Sequence, residues 1–502
     1  MSSRAPTFVA AAAVLVAGCA VGPNFERPTP PSMQAYDTPE SSTASDTATA
    51  AATAAAAADS AHLNLAEHHN TPDADVPGQW WRLFQSPVLD QMLQQALADN
   101  PTLTSANATL AAAREAIIVA RAGLLPQLGA SAGVQRAGGS SQGGGSSFGE
   151  SSGASSLYSV GLNASYSVDA FGGTRRLVEQ QRSLAELQRY QLAAAYLTLT
   201  GNVVTEVLTI ASTRAQLAAT FDLIADDQKN LDLTQREFEV GTAARTDVLT
   251  AESQLASDLT SLPTLQQQLS AARHALAILV GKAPGEWAAP EFELKEFTLP
   301  EQMPVTLPSV VVRQRPDILA SEAQLHADSA AVGIALSKEY PSITLSAALS
   351  RDALSAADLF HDFDSLWSVG GALAQPLYQG GALRAQTRAA RDTFQAQAAT
   401  YREVVLTAFD QVADDLRALE HDADRMVAFR RSLRIAGDSL ALQRTSYTSG
   451  ATNILQLIDA ERSYSQALLG SLSAQAEQLQ DAVQLFVALG GGWWNTAIAP
   501  AD

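Results

Sequence analysis

The stretch Val203-Val-Thr-Glu-Val-Leu-Thr-Ile-Ala-Ser-Thr-Arg-Ala-Gln-Leu-Ala-Ala-Thr-Phe-Asp-Leu-Ile-Ala-Asp-Asp-Gln-Lys-Asn-Leu231 decides the fold. Val203, Val207, Ile210, Arg214, Leu217, Phe221, Ile224, Gln228 and Leu231 fall at alternating steps of four and three. That spacing is a seam along one face of a long helix. Adding 209 to each number gives a second stripe in the same phase: Val412, Leu416, Leu419, Ala423, Met426, Arg430, Leu433, Gly437 and Leu440. A 3.5-residue seam sustained twice at one offset indicates internal duplication, each copy carrying a coiled-coil-like helix. The apolar seam residues are core candidates, and Arg214 and Arg430 are expected to snorkel or to pair between helices.

The punctuation is duplicated too. Phe238-Glu-Val-Gly241 answers Tyr447-Thr-Ser-Gly450, and Val248-Leu249-Thr-Ala251-Glu252 answers Leu457-Ile458-Asp-Ala460-Glu461. Upstream the offset becomes 215: Asn100-Pro101 answers Arg315-Pro316, and Leu125-Pro126 answers Tyr340-Pro341. Insertions belong in loops, so the drift places one between the paired strands. Gly241 and Gly450 read as hairpin turns that end the long helices. The helical hairpins are expected over 173–281 and 381–489. At the rise of an α-helix, the outgoing arm of the first would be ~100 Å long. Pro263 should kink the first return helix.

Ahead of each hairpin the period changes to two. Residues 127–136 and 157–168 alternate apolar and small polar side chains, as do 342–350 and 366–377. Segments of about ten residues cross a bilayer as tilted strands. Four strands cannot close a barrel, since the smallest need about eight, so the chain must oligomerise; a trimer would supply about twelve. Gly172 and Gly173, and Gly380 and Gly381, stand where strand must turn into helix. The expected class is a mixed α/β membrane protein with internal duplication.

Composition narrows the function. The chain has 502 residues, 32 basic against 52 acidic, for a net charge of −20. Such a balance argues against nucleic acid as a partner, because phosphate binding needs a basic face. No later segment offers about 18 consecutive apolar residues, so any crossing of a membrane is expected through strands. The single cysteine, Cys19, closes Val16-Ala17-Gly18-Cys19 after an apolar run from Phe8. This reads as a signal peptide over 1–18 with a lipobox and a diacylated Cys19. Residues 19–79 read as lipidated N-terminus and Ala/Pro-rich linker. The first repeat spans 80–281, a Pro-rich irregular connection 282–308, the second repeat 309–494, and a tail 495–502.

Catalytic signals are poor. Gly139-Ser-Ser141-Gln-Gly143 and Gly145-Ser-Ser147-Phe-Gly149 fit a nucleophile-elbow pattern but lie in a Gly/Ser loop without strand–turn–helix context. His62, His68 and His69 sit in the linker with no flanking fold to orient a metal. No enzyme activity, cofactor or metal is expected. Trp80, Trp81, Trp493 and Trp494 read as packing residues, since neither pair adjoins a strand.

The chain resembles outer-membrane efflux lipoproteins of the NodT and OprM type. The resemblance lies in the lipobox followed by Val21-Gly-Pro-Asn-Phe-Glu-Arg-Pro28, in Trp80-Trp81-Arg-Leu-Phe84 and Ser167-Val-Asp-Ala-Phe-Gly-Gly173, and in Arg315-Pro316-Asp317 and Gln375-Pro-Leu-Tyr-Gln-Gly-Gly381. It implies a trimeric TolC-like duct: a twelve-strand outer-membrane barrel above a tunnel of long helices in the periplasm. It also implies a periplasmic adaptor (membrane fusion protein) and an inner-membrane pump of the RND class. By the same resemblance, Gly241 and Gly450 form a closed periplasmic tip, and Asp247 and Asp459 match acidic gate positions. Gln456 stands where a second aspartate is common, and Thr452 where a latching arginine occurs. On chemistry alone, Asp247 and Asp459 also read as helix-start carboxylates favoured by the helix dipole. The expected function is a passive outer-membrane exit duct for small molecules. The alternatives are the outer-membrane component of a type I protein secretion system and a lipid-anchored periplasmic coiled-coil scaffold without a pore.

Overall fold

A computed structural model of the protein describes residues 20–29, 69–72, 76–138, 155–300, 302–305, 308–360 and 365–495. The signal peptide, Cys19, His62, His68 and the tail from 496 lie outside these residues, as do both Gly/Ser elbow patterns. The elements run β1 (His69–Pro72), α1 (Pro87–Asp99), α2 (Pro101–Ala122), β2 (Gln127–Ala137), β3 (Ser155–Val168), α3 (Gly173–Glu239), α4 (Arg245–Leu279), β4 (Gln302–Val305), α5 (Pro308–Gln314), α6 (Pro316–Ser337), β5 (Ser342–Ala353), β6 (Leu366–Ala374), α7 (Ala382–Thr448) and α8 (Ile454–Ala488). The duplication is explicit: α3 and α7 have 67 residues each, and α4 and α8 have 35. Helices α2 and α6 have 22 each.

Two compact units divide the chain. The first comprises the described residues of Ala20–Pro28, Thr109–Gln188 and Ala320–Tyr401. Its centre is an antiparallel sheet in the order β2-β3-β5-β6. The register aligns apolar rows: Leu128 opposite Ala164, Val134 opposite Tyr158, Tyr166 opposite Leu345, and Leu349 opposite Trp367. The alternate residues are mostly polar or small, as in Gly129 opposite Asn163 and Ser165 opposite Ser346, with Leu157 and Leu366 as exceptions at strand ends. One face is therefore apolar and the other polar, the period-2 signature of a wall between lipid and water. The apolar face is bare in the single chain: Leu128, Trp367 and Val369 are each about three-quarters exposed.

Strand β6 stops at Ala374, short of the expected 377. Gln375 turns its Nε2 to Glu339 O at 3.0 Å, and Pro376 has no N–H to offer a ladder. Glycine at 172 is required: its φ is +79°, and a Cβ there would lie 2.7 Å from Ala20. Gly173 is the first residue of α3, without the positive φ of Gly172, whereas Gly380 and Gly381 both have positive φ. The N-terminal segment ties the two repeats together here. Val21 N–H donates to Phe171 O, and Arg176 donates to Val21 O, Gly22 O and Asn24 Oδ1. On the second-repeat side, Phe25 stacks on His326 and Arg27 pairs with Glu322.

The second unit holds Arg189–Leu319, Arg402–Asn495 and the described residues from His69 to Ala108. Part of the seam is core: Val203, Val207, Ile210 and Val412 are fully buried, and Leu217, Leu231, Met426 and Leu440 nearly so, while Leu416, Leu419 and Leu433 are half-buried. Phe221 is half exposed and Arg430 is exposed. Arg214 pairs with Glu291 at 3.0 Å and donates to Phe292 O. The tryptophans pack: Trp80 stacks on Phe486 at 5.3 Å, and Trp493 donates to Gln314 O at 2.7 Å.

Within the linker, His69–Pro72 pairs in parallel with Gln302–Val305 of the connection. A four-residue strand leaves no periodic signal in sequence. Pro263 lies inside α4, which continues on both sides of it. Helix α3 likewise continues through Gly201, where a Cβ would meet Val487 at 2.8 Å. One window of α3 has the length and apolarity to cross a bilayer, which qualifies the expectation of no such segment; 61% of that window is buried within the chain.

Candidate functional site

The tips are built by the same backbone device in both copies. Gly241 N–H donates to Phe238 O and Thr242 N–H to Glu237 O, at 3.0 and 2.8 Å. In the second copy Gly450 donates to Tyr447 O and Ala451 to Ser446 O, at 2.9 and 2.8 Å. These paired bonds around a left-handed glycine (φ +80° and +74°) are Schellman caps that end α3 and α7. Beneath them Leu231, Val248, Leu440, Ile454, Leu457 and Ile458 form one apolar cluster joining the hairpins.

Polar bonds cross this cluster. Tyr447 on α7 donates its hydroxyl to Glu237 Oε1 on α3 at 2.6 Å. Burial, and then the Glu237 carboxylate, push the Tyr447 phenol well above its ordinary pKa. Arg444 bridges Asp226 Oδ2 on α3 at 2.6 Å and Glu461 Oε1 on α8 at 3.2 Å, and Asn230 donates to Glu461 as well. Burial opposes ionisation of Asp226, but hydrogen bonds from Lys229 and Arg444 outweigh it and hold its pKa below the usual range. At Glu461 burial wins over Arg444 and Asn230, and the pKa is raised.

The sequence-derived gate candidates are placed unequally. Asp247 accepts the backbone N–H of Ala244 at 3.0 Å, so its carboxylate caps the first turn of α4, as the chemical expectation held. Asp459 does not cap α8. That role falls to Asn453, whose Oδ1 accepts Gln456 N–H at 3.2 Å; Asp459 lies beyond the first turn and pairs with Arg462. Gln456 and Asp459 share a polar groove of about 500 Å³ with Ser439, Gln443, Asn453 and Ser463. Thr452 keeps its hydroxyl buried without a hydrogen-bond partner.

Sequence reasoning missed the Arg444–Asp226–Glu461 bridge and the role of Glu237. Glu461 had been noted only as punctuation matching Glu252, which is exposed where Glu461 is buried. The available signal was the doubled acid Asp226-Asp227 beside a seam that should be apolar.

Comparison with known proteins accords with this architecture. The chain is 31% identical over 427 residues to the pyoverdine export outer membrane protein OpmQ of Pseudomonas aeruginosa, covering 84% of this chain and 89% of that one. It is 29% identical to the toluene efflux pump outer membrane protein TtgF of Pseudomonas putida, over 98% of this chain and 97% of that one. Among solved structures, the outer-membrane channel OprN superposes with a TM-score of 0.81 at 26% identity, covering 95% of this chain and 100% of that one. The open state of the Neisseria gonorrhoeae MtrE outer membrane channel gives 0.79 at 25%, covering 94% and 98%. The profile described as outer membrane efflux protein matches residues 92–282 and 307–491, both repeats. The chain, with its doubled strand pair and doubled helical hairpin, belongs to the outer membrane efflux protein family.

Proposed function

We propose that this protein is the exit duct of an efflux system, assembled as a homotrimer in the outer membrane. The observation that carries the reading is the sheet β2-β3-β5-β6. It has one apolar face, one polar face, and two edges with no partner among the described residues. An open edge and a bare apolar face are costly in water and impossible in lipid, where every backbone group must be paired. Three copies of a four-stranded sheet supply twelve strands, which closes the edges and leaves a water-filled lumen.

The duct is passive: it performs no chemistry, and energy comes from an inner-membrane RND pump through a periplasmic adaptor. Relatives named for pyoverdine export and toluene efflux favour small molecules over proteins as cargo. The lipid on Cys19 adds an anchor beside the strands. At the tip, Tyr447–Glu237 and Arg444–Asp226/Glu461 hold the two hairpins of a chain closed, and adaptor binding opens them. Gly241 and Gly450 set the turns, and Asp247, Asp459 and Gln456 line the approach.

Single-channel conductance of the purified lipidated protein in planar bilayers, with its oligomer mass, tests this. A trimer with small, flickering currents is expected. A species of any other mass that carries no current overturns the duct and leaves a scaffold.

A further inference from the structure

Asp227 lies on α3 directly after Asp226 and is 7% exposed, with its Oδ2 sealed from solvent and without a hydrogen-bond partner. The group within hydrogen-bonding reach is the carboxyl of Asp258, on the return helix α4 of the same hairpin. Asp258 already accepts Gln254 Nε2 at 3.0 Å. The charged groups around the pair come from three more directions. Asp226 precedes it on α3, Glu461 faces it from α8, and Arg444 sits on α7. Arg444 is spent on Asp226 and Glu461, and Lys229 is spent on Asp226 at 2.9 Å. The neighbouring charges that act most on Asp227 are negative, namely Asp258, Glu461 and Asp226.

The second hairpin contains the same arrangement in another place. Asp422 on α7 is 7% exposed, its Oδ2 also lacks a partner, and Asp481 on α8 is within hydrogen-bonding reach. Arg425 stands 3.7 Å from Asp422 Oδ1 and also pairs with Glu477, and His421 precedes Asp422 on α7. Asp481 in turn faces Asp415, whose other neighbours are Asp414 and Arg315. Duplication does not explain the recurrence. The positions matching Asp227 and Asp258 in the second copy are Ala436 and Ala467, and those matching Asp422 and Asp481 in the first are Thr213 and Ala272.

Two ionised carboxylates cannot hydrogen-bond to each other, whereas a single shared proton turns their repulsion into a bond. We propose that each helical hairpin binds one proton between its two helices, at Asp227–Asp258 in the first and Asp422–Asp481 in the second. The hairpins are thereby acid-tightened clasps. The inference stands on contacts within one chain and does not depend on the duct reading. Burial, then the neighbouring carboxylates, push Asp227 up to about 7; burial, then Asp481, push Asp422 up to about 6. Folded values above the unfolded 3.8 mean the stabilisation is full below that value and is lost progressively as pH rises from there through about 6 to 7. Above that range each hairpin holds two like charges between its helices.

Hydrogen exchange of the full-length lipidated protein reads the clasp directly. After correction for intrinsic rates, amides of α3 and α4 flanking Asp227 and Asp258 should exchange at least about tenfold faster near pH 8 than near pH 5.5. Asp227→Asn, which keeps the shape and supplies a donor, should remove the difference and hold exchange slow at both pH values. Difference infrared spectra should show a protonated-carboxyl stretch in the wild type that vanishes with rising pH and is diminished in D227N. Either a pH difference that persists in D227N, or no such band in the wild type, overturns the proposal. It also fails if magnesium chloride at the higher pH restores slow exchange in the wild type but not in D227N, since the pair would then be a cation site. Should D227N not fold, the wild-type infrared titration decides alone.

Discussion

The two helical hairpins share a backbone and differ in chemistry. Both have arms of 67 and 35 residues, both turn on a Schellman glycine, and both return helices end on a second such turn, at Gly281 and Gly490. Yet the first return helix starts on the carboxylate of Asp247 and the second on the amide of Asn453. Phe238 in one copy answers Tyr447 in the other, and exposed Glu252 answers buried Glu461. The backbone bonds that terminate a helix tolerate any side chain except at the glycine, so duplication preserves them. Side chains that bond between the copies are under no such constraint and diverge into complementary halves of one contact.

The comparison breaks most visibly at the far ends of the return helices. A Cβ on Gly281 would lie 2.4 Å from Asp99 O, against 3.1 Å from Trp494 for Gly490. Gly281→Ala should cost ~3 kcal/mol or more, and Gly490→Ala ~1–2 kcal/mol, in denaturant unfolding of the detergent-solubilised protein. Equal losses would mean that positive φ alone, and not the close backbone, demands glycine there.

Tyr447→Phe makes the second tip resemble the first. Removing the bond to Glu237 should weaken the tip by ~1–2 kcal/mol and raise single-channel open probability without changing the oligomer. Unchanged gating would remove Tyr447 from the closure.

The helix caps come next. Asn453→Ala should loosen the first turn of α8 by ~1 kcal/mol. Asp247→Ala should loosen that of α4 by ~0.5 kcal/mol, and both are visible as local amide exchange. The smallest stability effect belongs to Asp459→Ala, within ~0.5 kcal/mol, because its partner Arg462 is an exposed neighbour on the same helix. Combined with Asp247→Ala it should raise conductance or weaken block by divalent or trivalent cations. A double variant with wild-type conductance and block would remove both carboxylates from the gate.

How much of this was legible in the sequence follows from the range of the interactions. The seam, the glycine turns and the alternating strands repeat with periods the chain displays, and each appears within a few residues of its expected bounds. Strand β6 ended early because Pro376 acts through a hydrogen bond it cannot donate. The pairing of His69–Pro72 with Gln302–Val305 joins segments more than two hundred residues apart and leaves no periodicity. The tip bridges were hidden for the same reason: Arg444, Asp226 and Glu461 lie on three helices, and only folding brings them together. Asp247 was legible as a cap because its partner is three residues away.

The edges of β2 and β6, unpaired among the described residues, have a genetic consequence. If three copies close the sheet, one chain with a spoiled edge disables two sound neighbours. A cell making equal amounts of sound and edge-defective chains would keep only about one-eighth of its trimers intact, given random mixing. Alleles damaged at β2 or β6 should therefore be dominant. Alleles that never fold far enough to meet a partner should be recessive.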